Sequence, residues 1–227
     1  MKILAINGSP RKTWNTATLL NNALEGAASQ GATTELIHLY DLNYKGCMSC
    51  FACKLKDGKS YGKCPIQDDL AAIFKKVEEA DAIILGSPIY NGRVTGEMAS
   101  FLDRLIFQYL EYSDPLKSLF PKKMNIGFIY TMGVTEELMK EFGIDKNIAF
   151  TQYALENVFG SSESLLSFDT YQFEDYSKVV ATRFDSKQKA KRREEVFPID
   201  CKKAFHLGVK FAIEVMLVPV CFKRCRQ

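Results

Sequence analysis

The stretch that most constrains this chain is Gly8-Ser9-Pro10-Arg11-Lys12-Thr13-Trp14-Asn15-Thr16, which joins the apolar segment Lys2 to Asn7 to a helical pattern beginning near Ala17. An apolar run that short, closed by Gly and Pro and followed by helical periodicity, predicts a buried parallel strand turning into a crossover helix. The loop then lies at the carboxyl edge of a sheet. It is rich in donors: the hydroxyls of Ser9, Thr13 and Thr16, the Asn15 amide, the charges of Arg11 and Lys12, and the free N–H groups of the helix start. Such a set suits a phosphate monoester. The spacing lacks Gly-x-x-x-x-Gly-Lys-Ser/Thr, which excludes the usual triphosphate loop, and Gly-x-Gly-x-x-Gly, which a pyrophosphate needs for close backbone approach. Asp41 falls where a dinucleotide site would want an acid, but without the glycines it is weak evidence. A mononucleotide phosphate fits better; the competing reading is an ordinary strand-to-helix turn with a good N-cap.

The same alternation continues. A helix from about Asn15 to Gln30 leads to a second strand, Thr33 to Leu39, and a helix opening at Asp68-Asp69 leads to a third, Ala82 to Gly86. A long helix from Thr95 to about Tyr112 carries an apolar stripe (Met98, Phe101, Leu102, Leu105, Ile106, Tyr109). A fourth strand, Asn125 to Tyr130, a helix centred on Tyr153 to Phe159, a fifth strand, Leu165 to Tyr171, and a last helix from about Asp200 to Val218 complete the pattern. Five strands alternating with helices predict a doubly wound α/β fold, a three-layer sandwich with a five-stranded parallel sheet in the order 2-1-3-4-5. Strands one and three part at the switch point, so the loop 9–16 and the loop Ser87 to Gly92 should face each other across one crevice. A ligand with a phosphate at one end and a flat ring at the other would span it, with Tyr90 and Asn91 flanking the ring and Thr131 to Gly133 closing a third side.

At 227 residues, with 47% of them apolar, the chain is expected to form a single domain over 1–227, with a cysteine-rich insert at about 44–66 and a helical extension from about 172. Thirty basic against 27 acidic residues give a net charge of +3, too little to argue for nucleic acid. The run Lys187 to Arg193 is followed by Glu194-Glu195 and reads as a solvated helix face. No stretch of about 18 apolar residues occurs and the amino terminus reads as a strand, so a soluble, cytoplasmic protein without membrane contact is expected.

These residues resemble the flavodoxin-like NADPH-dependent FMN reductase family. Gly8 to Lys12 with Asn15 and Thr16 is similar to its phosphate loop, and Gly86-Ser87-Pro88-Ile89-Tyr90 with Gly92, Thr95 and Gly96 to its flavin-ring loop. The resemblance spans about residues 1 to 170. It implies bound FMN, with Ser9, Arg11, Lys12, Asn15 and Thr16 at the phosphate, and Pro88, Ile89, Tyr90, Asn91, Gly92, Thr131 and Gly133 around the ring. It also implies NAD(P)H as electron donor, a quinone, flavin or other small molecule as acceptor, and a homodimer or homotetramer. No protein acid/base pair is needed, because the cofactor carries the hard chemistry. His38 and His206 are expected to be structural, and Asp103 with Arg104 to form a surface or interface salt bridge.

Seven cysteines, four of them between Cys47 and Cys64, point to a metal, a cluster or redox chemistry. Here the chain is also similar to the iron-sulfur flavoproteins: Cys47, Cys50 and Cys53 keep a Cys-x2-Cys-x2-Cys spacing, whereas Cys64 follows after a longer gap, Lys54 to Lys63. Three readings stand side by side: a [4Fe–4S] cluster, free or disulfide-bonded thiols, and zinc. A cluster makes the chain an electron carrier to a partner redox protein, its absence a self-contained enzyme. A third function class is a thiol-based redox-sensing or interaction module. Cys201 is expected in the core; Cys221 and Cys225 receive no role.

Overall fold

A computed structural model describes residues 1–217, so Cys221 and Cys225 lie outside the described residues, as does the far end of the last predicted helix. Strands β1 (Lys2–Asn7), β2 (Thr33–His38), β3 (Ala82–Tyr90), β4 (Met124–Thr131) and β5 (Gly160–Ser167) form a parallel sheet in the order β2-β1-β3-β4-β5. This is the expected flavodoxin-like order. Helices α1 (Asn15–Ser29) and α7 (Phe197–Leu217) cover one face, while α2 (Asp69–Glu79), α3 (Gly96–Tyr109) and α5 (Ile144–Phe159) cover the other. Two short helices complete the described chain, α4 (Glu136–Glu141) and α6 (Ser186–Glu195). Among the described residues no helix is long and apolar enough to cross a membrane.

The fifth strand begins at Gly160 rather than near Leu165. Gly160, at φ +98°, caps α5 by donating to the Glu156 carbonyl, so the chain passes from helix to strand without a loop. Its first residues, Gly160-Ser161-Ser162-Glu163, carry no apolar pattern because β5 is an edge strand. Residues 168–171, expected in this strand, have left it and turn over the sheet's carboxyl edge. The long helix ends at Tyr109, where Leu110–Glu111 pairs with Lys117–Ser118 in a small hairpin.

The region beyond 172 is built into the sandwich. Helix α7 buries Ala204, Leu207, Phe211 and Ala212 beside Leu19, Leu20, Ala23 and Ala27 of α1. The two helices touch at glycines: a Cβ on Gly26 would meet the Phe205 carbonyl oxygen at 2.0 Å, and one on Gly208 the Ala23 carbonyl oxygen at 1.8 Å. The basic run in α6 is not simply a solvated face. Lys189 is 2% exposed and donates to the Gly133 carbonyl (3.0 Å) and to Asp169 (2.5 Å), while Arg192 pairs with buried Asp200 at 2.5 Å. Cys201 is half-buried against the α1–α7 core.

The carboxyl ends of β1 and β3 are tied together by short hydrogen bonds. Gly8 N–H donates to the Gly86 carbonyl (2.7 Å), Thr95 Oγ1 to the Gly8 carbonyl (2.6 Å), and Thr95 N–H to Ser87 Oγ (3.1 Å). Asn7 completes the tie: its Oδ1 accepts from Ser9 N–H and its Nδ2 lies 2.9 Å from His38 Nδ1. Gly8 is required sterically, since a Cβ there would meet Met98 Cβ at 2.8 Å.

Gly208→Ala should cost about 3 kcal/mol in urea unfolding, at the upper end of overpacking penalties, because the clash is with backbone. Thr95→Val, which removes both the Gly8 bond and the cap that Thr95 gives α3 through Met98 N–H, should cost about 2 kcal/mol in the same measurement. Burial holds the His38 imidazole below its ordinary pKa, with Asp41 opposing the shift and Lys12 adding to it. The unfolded chain therefore binds the proton more readily, so this contribution to stability is complete above about pH 6.5 and is lost as the pH falls through that value towards the depressed folded one. His38→Asn should flatten the dependence of the urea midpoint on pH over that interval.

Candidate functional site

The crevice at the switch point is open and about 190 Å³ in volume. Ser9, Arg11, Asn15 and Thr16 reach it from the β1–α1 turn, Pro88, Ile89 and Tyr90 from the end of β3, and Thr131 and Gly133 from the end of β4. Three sequence-predicted residues do not line it. Lys12 pairs with Asp41 at 2.5 Å. Asn91 and Gly92 both have positive φ (50° and 81°) and form a two-residue hairpin turn, in which Ile89 pairs with Val94 and Tyr90 with Arg93. An Asn-Gly pair suits such a turn because both central residues must be left-handed, and Asn and Gly tolerate this best. Their part is to fold the β3 loop back on itself.

The start of α1 is the candidate anion site. Trp14 occupies the N-cap with extended backbone, and no side chain caps the helix, unlike Asp68 on α2 or Thr95 on α3. The ordinary turn with a good side-chain cap is therefore not what is found. Uncapped N–H groups, with the helix dipole behind them, are placed to accept an anion from the crevice.

Met132 lines the crevice between Thr131 and Gly133, as expected; Trp14, Thr170, Tyr171, Gln172 and Phe173 also line it, and the sequence did not single them out. Trp14 sat inside the motif already singled out. The segment 170–173 offers a cluster of aromatics, but it straddles the end of the last expected strand. In the structure it folds over the β1–α1 turn: Arg11 Nη1 donates to the Gln172 carbonyl (2.5 Å), while Trp14 Nε1 (3.0 Å) and Asn15 Nδ2 (2.8 Å) donate to that of Tyr171. Arg193 donates to Asn15 Oδ1 at 2.6 Å, so the Asn15 side chain is engaged at both ends. Thr16 and Thr131 share a hydroxyl contact of 2.8 Å, linking α1 to β4. Gly133 leaves room for the Gln172 side chain, whose Nε2 would lie 2.4 Å from any Cβ there. His206 does not line the crevice, and His38 serves the Asn7 contact.

A second polar constellation lies on α3. The chain from Tyr44 to Asp68 is fastened to that helix along its length: Tyr44 OH donates to the Glu97 carbonyl (2.8 Å), Gly46 passes against Ser100, and Gln108 Oε1 accepts from Cys64 N–H (3.0 Å). Arg104, 2% exposed, holds the Asp68 carboxylate with two nitrogens, at 2.5 and 3.0 Å, and also the Lys45 carbonyl at 3.1 Å. It is not a surface residue paired with Asp103. Burial opposes its charge, but Asp68 and Cys64 outweigh this and raise the guanidinium above its ordinary pKa. Burial also pushes the Cys53 thiol up and the Lys54 ammonium down; Lys54 donates to the Gln108 carbonyl and lies 4.7 Å over the Phe107 ring.

Cys47, Cys50, Cys53 and Cys64 line one small cavity of about 20 Å³, together with Arg104, Phe107 and Gln108. Cys47 and Cys50 are exposed, Cys53 buried and Cys64 between the two. Among the described residues no group of three or more His, Cys, Asp or Glu side chains is gathered closely enough to hold a metal ion. Four cysteine thiols around one cavity, facing buried donors, are the donor set of a [4Fe–4S] cluster, in which each thiolate binds a separate iron.

Residues 1–130 match the model of the NADPH-dependent FMN reductase family. An iron-sulfur flavoprotein of Methanocaldococcus jannaschii is 39% identical over 135 residues, 60% of this chain and 63% of that protein. One of Archaeoglobus fulgidus is 45% identical over 104 residues, 46% of this chain and 48% of its own. The chain thus spans less than two thirds of the length of these relatives. In fold it is similar to an NAD(P)H:quinone oxidoreductase from Methanothermobacter marburgensis, with a TM-score of 0.67 at 15% identity, covering 92% of this chain and 98% of the other. With more than half of its length matched by the family model, and with the strand order and crevice described above, this chain belongs to the NADPH-dependent FMN reductase family.

Proposed function

We propose that this chain is an FMN-binding oxidoreductase that takes electrons from NAD(P)H and passes them to a quinone, a flavin or another small acceptor. The observation that carries the reading is the crevice between the ends of β1 and β3, which presents an uncapped helix start on one side and ring-facing groups on the other. FMN, when bound, supplies hydride acceptance and onward electron transfer.

The protein's part is binding, orientation and exclusion of water. Ser9, Arg11, Thr16 and the main-chain N–H groups of Asn15 and Thr16 hold the phosphate, and Asn15's side chain instead anchors residue 171 beside it. Lys12 acts at one remove, through Asp41. Pro88, Ile89 and Tyr90 border the flavin ring, with Thr131 and Gly133 on a further side; Asn91 and Gly92 set the hairpin that presents Tyr90. Tyr171 to Phe173 cover the phosphate end and keep water from it. Cytoplasmic location and assembly as a homodimer or homotetramer belong to the same reading; Tyr90, 45% exposed at the crevice mouth, is where a second subunit would complete the ring site.

The four cysteines around one cavity support a second reading, in which a [4Fe–4S] cluster joins FMN and the chain serves as an electron carrier. The similarity to proteins named iron-sulfur flavoproteins favours the same reading. In that case Cys47, Cys50, Cys53 and Cys64 would hold the cluster.

The purified protein should take up FMN and show flavin absorbance. Arg11→Gln should weaken FMN about tenfold, the loss of one charge-assisted bond to phosphate, and leave riboflavin binding unchanged in parallel titrations, because riboflavin has no phosphate. Refusal of FMN at about millimolar concentration would end the proposal. Steady-state NAD(P)H oxidation with a quinone acceptor should give turnover; its absence with both nicotinamides, in protein that carries FMN and iron, would favour the carrier.

A further inference from the structure

Two buried donors on α3 have no partner in the protein: Arg104 Nε and Gln108 Nε2. Their residues are 2% and 3% exposed, lie one helical turn apart, and both line the cavity shared with the four cysteines. Buried donors left unsatisfied are uncommon, so each calls for an acceptor. The rest of each side chain is already committed. Gln108 Oε1 holds Cys64 N–H, and the outer nitrogens of Arg104 hold Asp68 and the Lys45 carbonyl, which leaves Nε and Nε2 for the cavity.

The remaining cavity wall offers them little. Met48, Phe51, Pro65, Ile66 and Phe107 present no strong side-chain acceptor, and a neutral thiol accepts only weakly. A thiolate or bridging sulfide carries the charge that such donors satisfy.

We propose that Gln108 and Arg104 are the hydrogen-bond donors to a sulfur cluster held by Cys47, Cys50, Cys53 and Cys64, and that they raise its reduction potential. The inference rests on the [4Fe–4S] reading above and goes beyond it by assigning two tuning residues outside the cysteine motif. It also accounts for the long gap before Cys64. Gly62 N–H donates to the Cys53 carbonyl at 3.0 Å and folds the insert back, while Gln108 fixes Cys64 by its main chain and Arg104 pins both ends of the loop, at Lys45 and Asp68. Hydrogen bonds to cluster sulfurs favour the reduced, more negative state, so their removal lowers the potential.

The test is redox titration of anaerobically purified full-length protein followed by EPR, with iron and sulfide counted at about four each per chain. Gln108→Met should retain iron and shift the reduction equilibrium at least tenfold towards the oxidised cluster, about 59 mV for a one-electron couple. Pulsed EPR of the reduced wild type should show a proton coupling that disappears in deuterated solvent, and Gln108→Met should lack it. Gln108→Glu keeps the oxygen that holds Cys64 N–H and serves if Gln108→Met loses iron; it should lose the same coupling and also lower the potential. An iron-replete variant with unchanged potential and coupling overturns the assignment while the cluster reading stands. A wild type that binds no iron overturns both.

Discussion

The Gly8 N–H to Gly86 carbonyl bond, with Thr95 reaching back to the Gly8 carbonyl, is the contact on which the crevice depends. In a doubly wound sheet the first and third strands lie side by side while their following helices leave on opposite faces, so their carboxyl ends tend to splay. Here α1 and α3 do leave on opposite faces. The short bonds counter the splaying and hold the β1–α1 turn at a set distance from the β3 loop. Gly8 makes this approach achievable, because Met98 occupies the space a Cβ would need.

Helix α3 serves two constituencies at once. Phe101, Leu102, Leu105 and Tyr109 pack into the core, whereas Arg104 and Gln108, on the same helix, turn polar atoms toward the cysteine loop. Desolvating a guanidinium is expensive unless it is paired, and the two-pronged Asp68 contact supplies that pairing. The loop is therefore held through carbonyls, a carboxylate and one amide, alongside the edge contact of Phe51 on Phe107. The same logic recurs at the other site, where buried Lys189 gathers Asp169 and the Gly133 carbonyl and so fixes two segments that border the crevice.

Much of this was legible beforehand. Apolar, non-alternating runs such as Ile83-Ile84-Leu85 announce strands covered on both faces, and their alternation with helices leads to the observed order. Nine of the twelve residues expected at the cofactor line one crevice. Asn91 and Gly92, expected beside the ring, form with their positive backbone angles the turn of the hairpin that carries Tyr90. Tyr171 to Phe173 are not marked as site residues by the sequence, because the edge strand before them has a polar start that shifts its expected end onto Tyr171. Asp103 beside Arg104 suggested a pair; the helix instead directs Arg104 inward to Asp68.

What the chain settles by itself is local: the alternation of strands and helices, where the helices at Asn15 and Asp69 begin, and that a donor-rich turn follows the first strand, since these follow from periodicity, glycine and capping chemistry within a few residues. What the tertiary structure alone decides is which distant groups meet. The Tyr171 carbonyl over Trp14 and Asn15, Arg193 on Asn15, and Arg104 on Asp68 join residues tens to nearly two hundred positions apart. Burial decides these pairings, because a charge or amide removed from water must find whichever partner the packed sheet brings within reach, and no short-range pattern records that choice.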